Sequence, residues 1–140
     1  MIKQFIILLV LAILNAYFFN WINDNFFHLE THAFDKIQRG ELLLLTVIIG
    51  PVAETLLLQY LPNRILIKLK LENPFLLIVI PSVIFSLGHL YFWLYAVMAF
   101  FSGLILNYFF VWLKSRSQYY LYITMLFHAV YNLYGFLFMV

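Results

Sequence analysis

A chain of 140 residues that is 66% hydrophobic and 10% charged, with a mean hydropathy of +0.98, cannot cover a water-facing surface. Soluble domains carry about a quarter charged residues, so this composition excludes one and points to an all-α, multi-pass membrane protein. The net charge of +2 comes from scattered basic residues, which leaves no nucleic-acid footprint, and the absence of cysteine excludes disulfides, thiol chemistry and thiolate metal sites.

The first apolar run, residues 2–21, begins after the kind of charge, Lys3, that also opens signal peptides. It is long enough to span, and Asn15, Ala16 and Tyr17 lead into bulky Phe18 and Phe19 instead of a small-residue cleavage site, so it is expected to be a membrane helix. The polar stretch that follows spaces Phe26, Phe27, Leu29, Phe34 and Ile37 as a short amphipathic surface helix would, near residues 25–38. A second span is expected over 42–61, ended by Pro62 and Asn63. From Pro74 to Leu113 the chain stays apolar for long enough to hold two helices, 74–89 and 92–113, with the turn near Gly88 to Trp93, where glycine and aromatics cluster. After the connector KSRSQ, a fifth span covers 119–139. No repeat or low-complexity linker divides residues 1–140, which read as one domain.

With the N-terminus in the cytoplasm, Lys3, Arg64, Lys68, Lys70, Lys114 and Arg116 lie inside and only Lys36 and Arg39 outside. That six-to-two bias requires five spans and places the C-terminus outside.

Few polar side chains remain at membrane depth. Glu54, Thr55 and Gln59 are on the second span, His89 ends the third, and His128 and Asn132 share one face of the fifth, four residues apart. Glu54 and Gln59, five apart, diverge by about 140° on an ideal α-helix. Taken singly, Glu54 reads as a neutral acid holding two helices together, His89 as an interfacial ring, and His128 with Asn132 as a packing pair. One carboxylate and two imidazoles on three helices exceed what packing alone predicts. His28 and His32, also four apart, are read as surface residues, because two ligands rarely make a metal site.

By helix rise, Glu54 lies about 15 Å from Arg64 and His128 about 15 Å from Gln118, so the two are level. His89 lies about 24 Å from Asn73 and is expected further out, unless tilt or a deeper start of the third helix closes the difference. Glu54 and His89 together can activate and orient a water, while His128 and the Asn132 amide can donate to an oxyanion. Glu54, His89 and His128 are equally a catalytic zinc set, and the spacing alone does not choose between the two chemistries.

At these residues the sequence resembles the CAAX protease and bacteriocin-processing (CPBP, or Abi) family of intramembrane endopeptidases. That family carries Glu-Glu-x-x-x-Arg, then Phe-x-x-x-His, then His-x-x-x-Asn. Here ETLLLQ (54–59) aligns with the first through Glu54, FSLGH (85–89) with the second through Phe85 and His89, and HAVYN (128–132) with the third through His128 and Asn132. The resemblance covers about residues 45–135, within a motif-bearing four-helix core of about 42–139. It implies a glutamate-type protease in which Glu54 and His89 activate water and His128 and Asn132 support the oxyanion, with Phe85 in support and no metal cofactor, Zn2+ being the alternative. It also implies a peptide or membrane-protein substrate, contact with membrane lipid, and residence in a bacterial cytoplasmic membrane. Members cleave prenylated CAAX proteins or serve peptide and bacteriocin processing and self-immunity, and a catalytically silent scaffold is the alternative.

Two positions depart from the family. Thr55 stands where the second Glu is expected and Gln59 where the Arg is, an exchange that removes a charge pair and leaves two neutral groups expected to hydrogen-bond. Family members also have more spans, so a homodimer or a partner protein is expected to supply the missing wall.

Overall fold

The computed structural model describes residues 1–138. Five helices account for the regular structure of the described residues: α1 (Ile2–Phe27), α2 (Arg39–Lys68), α3 (Pro74–Leu87), α4 (Trp93–Lys114) and α5 (Tyr120–Phe138). Four of them, α1, α2, α4 and α5, are long and apolar enough to cross a membrane; α3 has 14 residues. The chain is therefore an all-α, polytopic membrane protein. Residue 139 of the fifth expected span lies outside the described residues.

The expected amphipathic helix near 25–38 is not formed. α1 continues to Phe27 and stops where His28 turns left-handed, at φ 52°. The Asn23 side chain clasps the backbone of Leu29, accepting from its N–H and donating to its carbonyl, both at 3.0 Å. This satisfies the frayed end locally, and residues 28–38 run on as a turn-rich loop. Its aromatics pack without a helix: Phe34 meets Tyr91 at 5.3 Å, and Phe27 of α1 meets Trp93 at 4.9 Å edge to face.

Pro62 also fails to end α2, which runs on to Lys68. The helix contains two π turns, Leu45–Ile49 and Thr55–Tyr60, and each is followed by a proline at the second position, Pro51 and Pro62. In these turns the Gly50 N–H reaches back to Leu45 O and the Leu61 N–H to Leu56 O, five residues instead of four. A proline ring ordinarily clashes with the carbonyl four residues back, and a widened turn relieves that clash.

α3 opens with Asn73 as its cap, the side chain accepting from Phe75 N–H at 2.9 Å, and Pro74 in the first turn. Inside it, Pro81 removes the donor that Leu77 O would receive. Asn63 of α2 replaces it, donating through Nδ2 to Leu77 O at 2.9 Å. This bond also sets the register of α2 against α3. α3 packs most extensively on α4, where Gly103 permits the approach: a Cβ there would meet Ser82 Cα at 3.2 Å and Cβ at 3.3 Å. α1 lays Leu8, Ala12 and Ala16 inward, and Leu8 joins Phe85, Leu106, Phe109, Leu113 and Phe127 in the main apolar core. Outward faces carry exposed apolar residues such as Ile2, Phe75, Tyr122 and Leu126, as lipid contact requires.

Candidate active site

Three helices bring Glu54, His89 and His128 together. Glu54 Oε2 lies 3.7 Å from His89 Nε2 and 3.5 Å from His128 Nε2. The side chains are graded in access: Glu54 is 27% exposed, His89 15% and His128 2%. All three border one cavity of about 410 Å³, which Asn132 and Phe85 also line.

Register closes about half of the depth difference expected for His89, roughly 4.5 of 9 Å. Asn63 of α2 is level with Leu77, so Asn73 lies about one turn, roughly 6 Å, beyond the level of Asn63 and roughly 4.5 Å beyond Arg64. The third helix thus starts further from the site than Arg64 does, the opposite of the deeper start considered from sequence. The ring then folds back. His89 Nδ1 contacts Phe85 O at 2.7 Å, and the imidazole stacks on the Phe85 ring with centroids 4.3 Å apart. Phe85, 3% exposed, also touches His128 at 5.7 Å, so one buried ring braces both imidazoles.

Because a carbonyl only accepts, His89 Nδ1 is the donor in that contact, and in a neutral ring Nε2 keeps its lone pair toward Glu54. Two acceptors facing one another across 3.7 Å cannot bond directly. They are near enough for one water to lie within reach of both, which is an arrangement able to draw a proton from that water. Glu54 Oε2 itself has no protein hydrogen-bond partner. At the cavity edge, outside the helices, burial and then the Glu54 charge raise the Tyr91 phenol above its ordinary value, keeping it a proton donor.

Asn132 is tied down by an unexpected partner: its Nδ2 donates to Thr46 O at 2.8 Å. The π register of α2 explains why. Gly50 N–H takes Leu45 O, so the next donor due, to Thr46 O, is residue 51, and Pro51 has none. Asn132 supplies the missing hydrogen bond, and its second amide hydrogen and Oδ1 remain for the cavity.

Thr55 and Gln59 are fully buried, but they do not hydrogen-bond to each other. Thr55 Oγ1 and both polar atoms of Gln59 have no protein partner. The π turn over Thr55–Tyr60 brings residues five apart closer in direction than an α-helix does, so Gln59 is turned toward the side of Glu54 more than the 140° expectation allows.

Among the described residues no three His, Asp or Glu side chains are grouped as a metal site; of the outer partners that ligating histidines would use, His89 Nδ1 has one in Phe85 O and His128 Nδ1 has none. Sequence reasoning did not single out Thr46, Pro51, Asn15, Ser102 or Tyr131. Tyr131 stood inside HAVYN as an unremarked position, and Asn15, like Asn20, was a polar residue in the first apolar run.

Comparison with known proteins adds one finding. Residues 40–134 match the family model described as type II CAAX prenyl endopeptidase Rce1-like, while no curated protein and no solved structure matches significantly. The match covers more than half of the chain and contains Glu54, His89, His128 and Asn132. With its helices long enough to span and its motifs inside the matched segment, this multi-pass membrane protein belongs to the type II CAAX prenyl endopeptidase Rce1-like family.

Proposed function

We propose that the chain is an intramembrane endopeptidase in which Glu54 is the base and His89 positions the attacking water. The observation that carries this reading is the approach of two imidazole Nε2 atoms to one carboxylate oxygen, at 3.7 and 3.5 Å, on the wall of a cavity. Water oxygen adds to the scissile carbonyl carbon as Glu54 takes its proton. His128 Nε2–H and the free hydrogen of the Asn132 amide donate to the oxyanion. Collapse of the tetrahedral intermediate breaks the C–N bond, and the departing amine takes the proton back from Glu54. No step is assigned to a metal.

The cavity of about 410 Å³ is within the range of small-ligand pockets and suits a short extended segment, not a whole helix. The substrate class is accordingly a peptide or a membrane protein with an unfolded, accessible segment, with a prenylated CAAX peptide the first choice from the family. The Lys and Arg asymmetry supports a cytoplasmic N-terminus. A bacterial cytoplasmic membrane, a role in bacteriocin processing or self-immunity, and completion of the wall by a second copy rest on the resemblance alone.

The test is cleavage of fluorogenic farnesylated CAAX peptides by protein reconstituted in liposomes. Glu54→Gln and His89→Ala are expected to lower turnover on the order of 10²–10⁴-fold, and a chelator to leave wild type unchanged. Equal cleavage by wild type and Glu54→Gln overturns the assignment of the base. Loss of activity with chelator, restored by Zn2+, overturns the metal-free route.

A further inference from the structure

A second polar cluster faces the same cavity from α4 and α5. Ser102 of α4 and Tyr131 of α5 both line it, and their oxygens are 3.2 Å apart. Asn15 of α1 lies behind them. Its Nδ2 donates to Ser102 Oγ at 3.0 Å and to Met98 O at 3.1 Å. Ser102 is 3% exposed. Asn15 lies outside the segment that matches the family, so this cluster joins α1 to the matched core.

Two of the three hydrogen bonds in the cluster have a fixed direction. Both hydrogens of the Asn15 amide are committed, one to Met98 O and one to Ser102 Oγ. Ser102 therefore accepts from Asn15 and has its own hydrogen to place. The carbonyl one turn earlier, which a helical serine commonly uses, is Met98 O, already taken by Asn15. The 3.2 Å contact admits either oxygen as donor, and the direction that gives the Ser102 hydrogen an acceptor runs to Tyr131 Oη. With its oxygen accepting from Ser102, Tyr131 keeps its own hydrogen free, and the side on which no protein group receives it is the cavity. The ring packs against the apolar cluster formed by Ala16, Phe19, Leu94 and Met98, which restricts where the phenol can reach. Tyr131 is one turn from His128 on the same helix and adjacent to Asn132.

We propose that Tyr131 is a substrate-binding residue: its phenol donates a hydrogen bond to a backbone carbonyl of the bound peptide next to the scissile bond. Asn15 and Ser102 are positioning residues that act through it, by filling the phenol's acceptor site and aiming its hydrogen inward. The assignment rests on the endopeptidase reading, because it needs a peptide in the cavity. It makes α1 a part of the substrate site.

The experiment measures binding and cleavage separately. Binding of a fluorescent farnesylated CAAX peptide is followed by anisotropy in the Glu54→Gln background, where the peptide stays intact; cleavage is followed in the Glu54 protein. Tyr131→Phe is expected to weaken binding and raise KM about 5- to 10-fold, the scale of one lost hydrogen bond, with kcat little changed. Asn15→Leu is expected to weaken binding about 3-fold, and to add nothing in the Tyr131→Phe background. A purely structural role for Asn15 gives equal losses in both backgrounds and overturns the relay. Unchanged peptide affinity in Tyr131→Phe, with wild type binding and cleaving, overturns the proposal alone. A wild type that neither binds nor cleaves the peptides overturns the endopeptidase reading, and this assignment with it.

Discussion

Asn132→Leu tests whether the site is built on a defect in α2. Pro51 leaves Thr46 O without its helical donor, and Asn132 Nδ2 fills the gap at 2.8 Å. Removing the amide loses an interhelical hydrogen bond, worth about 0.6 kcal/mol on average in membrane bundles and up to about 1.7. It also strands a carbonyl that has little water to turn to, which brings the expected cost to about 1–2 kcal/mol. Pro51→Ala supplies the missing N–H from within α2. In that background Asn132→Leu removes a bond the backbone no longer needs, and its cost is expected to fall below about 0.5 kcal/mol. The coupling is therefore about 1 kcal/mol, well outside the roughly 0.3–0.5 kcal/mol scatter of independent sites. Equilibrium unfolding by SDS in mixed micelles, followed by tryptophan fluorescence, measures all four corners of the cycle. Additive costs would show that Asn132 does not replace the proline's missing donor, and the derivation of the site from the π register would fail. Pro51→Ala alone is expected to stay folded yet lose cleavage, because Asn132 is released from its anchor.

The same logic applies on α3. Asn63, 1% exposed, donates to the carbonyl that Pro81 deprives of a partner, so Asn63→Leu is expected to cost about 1–3 kcal/mol and Pro81→Ala to recover most of it in the same unfolding assay. Gln59→Met removes two buried polar atoms that have no protein partner, so stability is expected to be unchanged or to rise by up to about 2 kcal/mol, with cleavage retained. A drop in cleavage beyond tenfold would show instead that Gln59 acts at the site. Gly103→Leu is expected to unfold the protein or push α3 off α4, since even a Cβ meets Ser82 at 3.2–3.3 Å and Phe85 Cδ1 at 3.4 Å; native stability in Gly103→Leu would refute the close packing. Phe85→Leu keeps an apolar side chain but loses the 4.3 Å stack under His89, and is expected to cost about 1–2 kcal/mol in stability and a larger factor, above tenfold, in cleavage.

Membrane class, helix content and the approximate spans were legible because they follow from hydropathy and length, which are local quantities. Glu54, His89, His128 and Asn132 stood out for the same reason: an ionisable or amide side chain inside an apolar run is costly wherever the run is placed. Their meeting was harder to read. Ideal helix rise puts His89 too far out, because it counts residues along one helix and contains no term for how helices are offset. The Asn63 to Leu77 bond sets that offset, and it joins residues on different helices.

The prolines divide the two levels most clearly. By local rules Pro62 ends a helix, and Pro51 and Pro81 disfavour one. The chain carries helix through all three. Sequence by itself determined how many backbone donors would be missing and where, since that is a property of each proline. Only the tertiary structure decided what replaced them: π turns before Pro51 and Pro62, and asparagine amides reaching from neighbouring helices to Thr46 O and Leu77 O. In lipid a carbonyl released by proline has no water to accept from, so it must be met by another part of the protein. At Thr46 that need places Asn132 beside Glu54, His89 and His128, in the one cavity they share.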